Sequence, residues 1–452
     1  PRLPEDWQVL RNGRLFGHRV ETGFPDLPIL EVSLRTGVRV RDMENLKRKQ
    51  VMSQKEKYKR AAKGDIAYNM MRMWQGAVGP APVNGLVSPA YVVVKPYDEA
   101  NSSYYSYLFR TAAYMQEVNK FSRGIVADRN RLYWESFKQM PSLVPPRPEQ
   151  DQIVAYLRAQ DAHIARFIKA KRDLIGLLSE QKHTIIEGAV TQGLDATTEK
   201  RQSGIDWIPR VPAHWETCKL KHVAAFNPSR SESVALRLSE ASVSFLPMEC
   251  ITTDGKLQGI ENRKTSEVWE GYTYFRRNDV VMAKITPCFE NGKGGLLDTL
   301  PTEIGFGTTE FIVLRAAERR IRPAFLAKLL SLRTFRVLGA DAMTGAAGQQ
   351  RVPLGFVKNF RIALPPLGEQ DRILGALQTA TAEQDAAIER IRSEIALIRE
   401  YRDRLIADAV TGQVDLRGWQ PGPDDAVSDD DLAALGDDEA EPAEEDADGE
   451  EN

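Results

Sequence analysis

Cysteine is scarce in this sequence, with three residues in 452, and no two of them form a Cys-x-x-Cys pair. This scarcity argues against a disulfide framework and fits a reducing compartment, so we expect a cytoplasmic protein. Long apolar runs are absent as well, because no stretch reaches the roughly 18 residues of a membrane-spanning helix. The polar first residues are unlike a signal peptide. The sequence therefore predicts no membrane contact.

Motifs of several enzyme classes are also missing. An adenine methyltransferase would need an Asn/Asp-Pro-Pro-aromatic loop to hold a flipped base. The nearest string, "NPSR" at 227–230, lacks the second proline and the aromatic residue. The glycine-rich string at 292–295 has no strand–turn–helix context, and no Gly-x-x-x-x-Gly-Lys-Ser/Thr motif is present. We therefore expect no catalytic residue and no cofactor in this chain, although scattered acids and lysines leave a nuclease centre open.

One spacing is typical of metal ligands. His214, Cys218 and His222 recur every four residues, which on a helix would place them on one face. Pro212 and the residues after Cys218 instead indicate an extended segment, and no fourth ligand stands out. We therefore expect no metal site.

Basic residues are absent after Arg417. The last 34 residues hold 15 acidic residues, so the formal net charge of −2 conceals a charge of +13 on the rest of the chain. Residues 1–140 contain 23 basic and 14 acidic residues, residues 196–358 contain 23 and 17, and the stretches between them are nearly neutral. Two cationic blocks favour two docking surfaces for a polyanion, although basic residues can also simply solvate a surface. The acidic tail is expected to be disordered.

The sequence contains a long internal repeat. Residues 149–195 align without a gap to residues 369–415, with 16 of 47 positions identical, and the best-matched ends read "AVTQGLD" and "AVTGQVD". Upstream, "GDIAYN" is answered by "NDVVMA". This pattern indicates one domain-plus-helix module, duplicated. The predicted divisions are a first domain at 1–140, a helix at 141–195, a second domain at 196–358, a second helix at 359–418 and the tail at 419–452.

A proline pair precedes a long helix in each copy, Pro145-Pro146 and Pro365-Pro366. Apolar residues recur in each helix close to a heptad spacing, which predicts a narrow contact seam. The seam positions are Ile153, Leu157, Ile164, Ile168, Ile175, Leu178 and Ile185, and Ile373, Leu377, Ile388, Ile395, Ile398 and Leu405. We expect the two helices to pair as an antiparallel coiled coil between two mixed α/β domains, an α+β fold with a pseudo-two-fold duplicated module. Separate burial of each helix is the alternative, and Gln384 interrupts the seam where it could fix the register.

The repeated "PP-x-x-EQ-x-x-I" string, the long helix and the "AVT" end resemble the specificity subunit of Type I restriction–modification enzymes. The string "GDIAYNMMRMWQGAVG" resembles a target-recognition domain of that family. The resemblance covers nearly the whole chain to about Leu416. It implies a non-catalytic subunit whose two target-recognition domains read the halves of a bipartite, asymmetric DNA site, with the coiled coil as spacer. The implied partners are double-stranded DNA, two methyltransferase subunits that hold S-adenosylmethionine, and restriction subunits that can join.

Polar side chains in two loops of each domain are candidates for DNA binding, because Arg, Lys, Asn and Gln read base edges and cations bind phosphates. The candidates are Asn69, Arg72, Gln75, Arg123, Arg129 and Arg131 in the first domain, and Lys284, Asn291, Lys293, Gln349, Gln350 and Arg351 in the second. For any single residue a solvated surface position is an equally good explanation. Trp74 is expected in the core and not as a base-stacking wedge.

Two other functions stay open. The chain could be a self-contained DNA methyltransferase or nuclease with an unrecognised motif, in which case it would modify DNA without a partner. It could also be a coiled-coil adaptor that binds only proteins, in which case it would not retard DNA.

Overall fold

The computed structural model describes residues 3–34, 37–41, 55–123, 130–237, 240–346, 348–428, 431–432 and 435. The chain divides into two compact units, unit 1 with Pro1–Leu174 and Arg390–Asn452, and unit 2 with Ile175–Glu389. The division falls inside the two predicted helices, so each unit contains parts of both. Within the described ranges, no helix is long and apolar enough to span a membrane.

Unit 1 is built on an antiparallel sheet. Its strands are β1 (Gln8–Arg11), β2 (Phe16–Arg19), β3 (Leu30–Ser33), β4 (Gly37–Val40), β5 (Lys59–Ala61), β6 (Ile66–Asn69), β7 (Val78–Pro80), β8 (Gly85–Val87), β9 (Tyr91–Pro96) and β10 (Pro141–Val144). Its helices are α1 (Ser102–Phe109), α2 (Ala112–Phe121), α3 (Trp134–Phe137) and the first part of α4 (Arg147–Gln192). The central sheet has the order β2-β9-β6-β7, and β1-β10, β3-β4 and β5-β8 form two-stranded pairs.

The central strand β9 reads "YVVV" because both of its faces are covered. Val92 and Val94 belong to the core that contains α1, whereas Tyr91 and Val93 belong to a second core with β3 and β8. A strand buried on both faces needs a continuous apolar run and not an alternating one.

Unit 2 repeats this plan with additions. Its strands are β11 (Lys200–Gln202), β12 (Arg210–Pro212), β13 (Glu216–Lys219), β14 (Ala224–Phe226), β15 (Ser242–Leu246), β16 (Glu261–Lys264), β17 (Thr273–Arg276), β18 (Val280–Ala283), β19 (Gly294–Leu296), β20 (Ile304–Gly307), β21 (Phe311–Ala316) and β22 (Arg361–Leu364). Its helices are α5 (Thr265–Val268), α6 (Pro323–Leu330), α7 (Arg333–Asp341), α8 (Leu354–Asn359) and the first part of α9 (Leu367–Val410). The sheet β14-β21-β18-β19 matches that of unit 1, and β16-β15-β20-β17 forms a second sheet.

The repeated "GD/ND" strings form the same tight turn before β6 and β18. Gly64 and Asn278 both have positive φ, +88° and +68°, a conformation that glycine and asparagine tolerate best. The buried carboxylates of Asp65 and Asp279 each accept a backbone N–H from three residues upstream, at 2.8 and 2.9 Å. Each also forms an ion pair with an arginine of its own unit. The repeat therefore preserves a turn, and its function is structural.

The repeated "EQ" string anchors each long helix to its unit. Gln150 and Gln370 are fully buried. The Gln150 amide donates to the carbonyls of Pro145 and Glu99, at 2.9 and 3.0 Å, and its own oxygen accepts the N–H of Asn101 at 2.8 Å. Gln370 makes the matching three bonds at 2.9, 2.9 and 2.8 Å. One side chain thus ties the proline pair to the start of α1 or α6, and leaves none of those groups unsatisfied.

The "AVT" strings mark the C-terminal ends of the long helices. Gly193 and Gly412 follow with φ of +78° and +71°, the left-handed conformation that commonly terminates a helix. A side chain at Gly193 would meet the ring of Trp215 at 3.5 Å. A side chain at Gly412 would meet Pro4 at 2.7 Å and Trp7 at 3.3 Å. Trp7, near the start of the first copy, therefore packs at the helix end of the second copy, and Trp215, near the start of the second copy, packs at the helix end of the first.

The long helices run antiparallel within unit 1. Asp161 on α4 contacts Arg402 on α9 at 2.6 Å, and ten residues further along α4, Lys171 contacts Glu394 at 2.6 Å. Residue numbers thus rise on one helix as they fall on the other. In unit 2, Lys182 contacts Asp385 at 2.5 Å.

Most of the predicted seam is buried, but the C-terminal half of each helix departs from it. Ile153, Leu157, Ile164, Ile168, Ile373, Leu377, Ile388 and Ile395 are buried, whereas Ile175, Leu178, Ile185, Ile398 and Leu405 are half-buried. Ile186 and Ile406, each one residue after a predicted seam position, are buried. A straight helix drifts by about 20° per heptad from a 3.5-residue repeat, which explains the one-residue shift. Gln384 is half-buried, and its Oε1 has no hydrogen-bond partner among the described residues.

Candidate nucleic-acid interface

The first candidate loop of unit 1 follows β6. Asn69 is buried at the end of the strand, and its side-chain oxygen accepts the N–H of Met71 at 2.9 Å. This position corrects the prediction for Asn69, because the side chain shapes its own turn and does not face solvent. Arg72 is half-buried and Gln75 is exposed. Trp74 is half-buried, packs against the core and donates to the Met71 carbonyl at 2.9 Å.

The second candidate segment of unit 1 lies beside the first. The backbones of Arg123 and Arg131 pair through two hydrogen bonds of 3.1 and 2.9 Å. The N–H of Leu132 donates to the carbonyl of Met70 at 2.9 Å, which joins this segment to the loop after β6. Arg123 is exposed and Arg131 is half-buried, while Arg129 lies outside the described residues. Two candidate clusters that are distant in sequence are therefore adjacent in the fold.

Unit 2 brings its two candidate segments together in the same way. The N–H of Thr286 donates to the carbonyl of Gln350 at 2.9 Å, and the N–H of Val352 donates to the carbonyl of Lys284 at 2.8 Å. Asn291 and Gln349 are exposed in these segments.

The cations of this surface are already hydrogen-bonded to protein oxygens. Arg351 contacts both carboxylate oxygens of Glu310, at 2.8 Å for the shortest distance, and this lowers the pKa of the Glu310 carboxyl. Lys284 Nζ donates to the carbonyl of Thr309 at 2.7 Å, and Lys293 Nζ donates to a carbonyl at 3.2 Å. An ammonium has three donors, so each lysine keeps donors for a phosphate, whereas Arg351 is largely engaged by Glu310.

The suspected metal ligands do not converge on one site. Cys218 is buried in β13, where burial raises the pKa of its thiol to about 11, so the thiolate that zinc requires is disfavoured. His214 is in the loop before β13, and its Nε2 lies 2.7 Å from the carboxylate of Glu369. His222 is in a short turn after β13. Within the described part of the chain, no group of three or more His, Cys, Asp or Glu side chains could hold a metal ion.

The start of the acidic tail packs on α4, which corrects the prediction of disorder for its first residues. The ring of Trp419 meets that of Tyr156 edge-on at 5.4 Å, and Gln152 donates to the Trp419 carbonyl at 2.8 Å. Two turns further along α4, His163 lies 2.8 Å from the carboxylate of Asp425. We call residues 419–426 the strap. Acidic composition alone predicted disorder for the strap, because composition does not reveal that Trp419 and Asp425 have partners on α4.

Comparison with known proteins identifies the relatives of this chain. The specificity subunit of the Type I restriction enzyme EcoEI from Escherichia coli is 38% identical over 167 residues, which are 36% of this chain and 27% of that protein. The EcoAI specificity subunit from Escherichia coli is 40% identical over 166 residues, again 36% and 27% of the two chains. These matches thus span about a quarter of the relatives. No family model matches the chain.

The fold has a solved counterpart. A chain from a structure describing complex assembly and conformational transition of the type I R-M system aligns with a TM-score of 0.57 and 14% identity, covering 92% of this chain and 100% of that one. The α+β fold with two long helices is therefore shared. The resemblance predicted from the repeated motifs is confirmed, and this chain is related to the specificity subunits of Type I restriction enzymes.

Proposed function

We propose that this chain is the non-catalytic DNA-recognition and scaffold subunit of a Type I restriction–modification system. The observation that supports the proposal best is that the two units share the same backbone features but present different side chains in their candidate loops. Both units contain the same turn, glutamine anchor and helix end, yet the adjacent loops present Arg72 and Gln75 in unit 1, and Lys284 and Asn291 in unit 2. Two dissimilar surfaces on a repeated frame suit a DNA site with two different halves.

The proposed partners are double-stranded DNA, two methyltransferase subunits and, where the system restricts DNA, two restriction subunits. In this proposal S-adenosylmethionine is held by the methyltransferase subunits, and this chain binds neither a cofactor nor a metal. The complex acts in the cytoplasm. The proposal follows from the relatives and from the absence of a catalytic motif in the sequence.

Methylation mapping tests the proposal. Cells that express this chain together with its methyltransferase should methylate adenine at a non-palindromic site with two specific halves and an unspecified gap. Cells without this chain should lack that methylation. The purified chain alone, mixed with S-adenosylmethionine and DNA, should transfer no methyl group. A continuous or palindromic motif, or methyl transfer by the chain alone, contradicts the proposal.

A domain exchange tests the division of labour between the units. Replacement of residues 1–140 by the corresponding domain of a relative should change one half-site and leave the other intact. The proline pair after this region provides the joint. If both half-sites change together, the units do not read DNA independently.

A further inference from the structure

A cavity of about 420 Å³ opens on unit 2 beside the candidate DNA surface. It lies where the end of β14 meets β17, β18 and β21. Its lining residues are Asn227, Pro228, Arg230, Gly271, Tyr272, Thr273, Tyr274, Lys284, Thr309 and Phe311. The string "NPSR" thus lines a cavity in the folded chain, although it failed as a methyltransferase motif. A volume of this size is in the range of small-molecule sites.

The cavity is cationic. Arg230 and Lys284 carry its two charges, and none of the ten lining residues is acidic. The Arg230 guanidinium lies over the ring of Trp269, 5.4 Å from its centroid, and donates to the Trp269 carbonyl, which fixes its position. Lys284 spends one donor on a carbonyl and keeps two. An anion that reaches the cavity therefore meets two positioned donors.

Nearby carboxylates are mostly neutralised by other cations. Glu232 accepts from Arg315 at 2.6 Å, and Glu310 is held by Arg351. Glu270 lies 2.9 Å from Arg237 and, at 3.5 Å, also approaches Arg230 of the cavity, and its side chain is 67% exposed. The local charge around the cavity therefore remains suited to a phosphate.

One wall of the cavity is aromatic. Tyr272 is 36% exposed, and its ring meets Phe245 edge-on at 4.9 Å. The guanidinium of Arg263 covers Phe245 at 4.0 Å, so this wall is supported from behind. Tyr274 donates to Glu232, and burial followed by this carboxylate raises the pKa of Tyr274 to about 12, so it stays neutral. A supported, exposed tyrosine next to two cations is a surface on which a base or sugar can stack.

The matching position of unit 1 is filled differently. Asn227 bonds to the backbone of Val313 on β21, and Arg19 lies opposite Val93 on β9, the equivalent strand position. The Arg19 guanidinium is bound by the carboxylates of Glu21 and Asp65. The two units therefore differ at a matched point beside their candidate loops.

We propose that this cavity binds one nucleotide of a DNA strand, with the phosphate between Arg230 and Lys284 and the base or sugar against Tyr272. The ligand chemistry is a nucleoside phosphate, which could come from DNA or from a free nucleotide. We favour DNA as the source because Lys284 lines the cavity and also belongs to the candidate DNA-binding segments of unit 2, which are joined by the hydrogen bond from Thr286 to Gln350. This inference rests on the proposed function and names part of its contact surface.

Fluorescence anisotropy of the full-length chain with a labelled DNA duplex across a salt series tests the inference, with deoxyadenosine monophosphate as a second ligand. Arg230→Gln together with Lys284→Gln should weaken duplex binding about tenfold or more and reduce the slope of log affinity against log salt by about one. Tyr272→Ala should weaken binding about fivefold to tenfold with little change in slope, because stacking is uncharged. The control is Arg320→Gln. Arg320 is paired with Glu216 and follows the C-terminal end of β21, whereas the cavity lies at the N-terminal end of that strand, at Phe311.

The outcomes separate the inference from the proposed function. If the wild-type chain binds no duplex, the proposed function fails and the inference fails with it. If the wild-type chain binds and the cavity variants match Arg320→Gln, only the inference is overturned. Tight binding of the mononucleotide that the cavity variants abolish, with unchanged duplex binding, also overturns it. Melting temperatures verify that each variant is folded. If Arg230→Gln unfolds the chain because the contact with the Trp269 carbonyl is lost, the double variant Lys284→Gln, Tyr272→Ala replaces it in the binding test, and duplex binding equal to that of Arg320→Gln then overturns the inference.

Discussion

Units 1 and 2 hold their helix pairs together with different polar groups at matched positions. In unit 1, Asp161 is 5% exposed and accepts hydrogen bonds from Arg402 at 2.6 Å and from Tyr107 at 2.9 Å. Burial alone would lower the pKa of Arg402, but the hydrogen bond and charge of Asp161 outweigh it and raise that pKa. The unit 1 pair therefore joins a buried carboxylate to a half-buried guanidinium, and the carboxylate has two hydrogen-bond donors.

Unit 2 places other residues at the same three positions. Thr381 replaces the aspartate and Lys182 replaces the arginine. Alignment of α1 with α6 from their first residues places Lys328 where unit 1 has the tyrosine. Lys182 pairs with Asp385, whose side chain is 43% exposed. Burial, followed by the charge of Lys182, lowers the pKa of Lys328. The backbone frame is thus duplicated, whereas the electrostatics that hold it are particular to each unit.

The comparison of the two units separates the side chains that are the same in both from those that differ. The groups that satisfy buried backbone atoms are kept in both units, since an unmatched polar atom costs about 1–3 kcal/mol. Side-chain pairs on the helix seam can be exchanged for other pairs, provided that each charge finds a partner.

A change to the shared helices should have the largest effect. Insertion of two residues near Thr191 rotates the following segment by about 200° and should abolish methylation that depends on both half-sites. Insertion of four residues adds about 6 Å with a rotation of roughly 400°, so the seam stays nearly in phase and the gap should grow by one or two base pairs. Methylation mapping of both variants measures this. Activity with an unchanged gap in the four-residue variant would mean that the helices do not measure DNA.

Removal of the unit 1 aspartate should have the next largest effect. Asp161→Ala leaves the half-buried guanidinium of Arg402 and the hydroxyl of Tyr107 without the acceptor that they share, which should lower the free energy of unfolding by about 2–3 kcal/mol. Asp385→Ala in unit 2 should cost no more than about 1 kcal/mol, because that pair is partly exposed. Urea denaturation of the two variants compares them directly. Equal losses would show that the two seams are held in the same way.

The glutamine anchors should behave alike, in contrast to the seam. Gln150→Leu and Gln370→Leu each remove three hydrogen bonds to backbone groups, and each should cost about 1–3 kcal/mol. Gln413→Leu serves as the control. The exposed Gln413 side chain donates to the carbonyl of Thr411, just after α9, and its removal should have little effect. Hydrogen exchange at the starts of α4 and α9 reports the local loss. A large loss for one anchor and none for the other would contradict the equivalence of the two units here.

Removal of the acidic tail should have the smallest effect. The start of the tail packs on α4 and has no matching contacts on α9 among the described residues. The strap contacts Gln152, Tyr156 and His163, whose counterparts on α9 are Arg372, Ala376 and Glu383. Deletion of residues 419–452 should strengthen non-specific DNA binding at low salt, because 15 acidic residues no longer offset the cationic surfaces. Anisotropy across a salt series measures this change. Identical affinities of both chains at every salt concentration would refute the shielding role.

Local patterns in the sequence predicted the elements with good accuracy. The proline pairs fixed the starts of the long helices at Arg147 and Leu367, because proline suits a helix entry and cannot lie in its interior. The heptad spacing predicted the buried seam in the N-terminal half of each long helix, whereas five predicted positions in the C-terminal halves are only half-buried. The candidate DNA residues stay predictions, although the structure brings their segments together in each unit.

The sequence by itself determined the repeated module, the presence of a long helix after each proline pair and the cationic blocks, because propensity, periodicity and charge reside in short stretches of chain. The predicted helix ranges, 141–195 and 359–418, are longer than α4 and α9, because a strand precedes each proline pair. Only the tertiary structure decided that each unit combines the start of one long helix with the end of the other, that Asn69 is buried, that the strap lies on α4, and that residues from 227 to 311 enclose one cavity. These features depend on contacts between residues far apart in sequence. Side-chain packing and hydrogen-bond satisfaction select such contacts, and no local spacing encodes them.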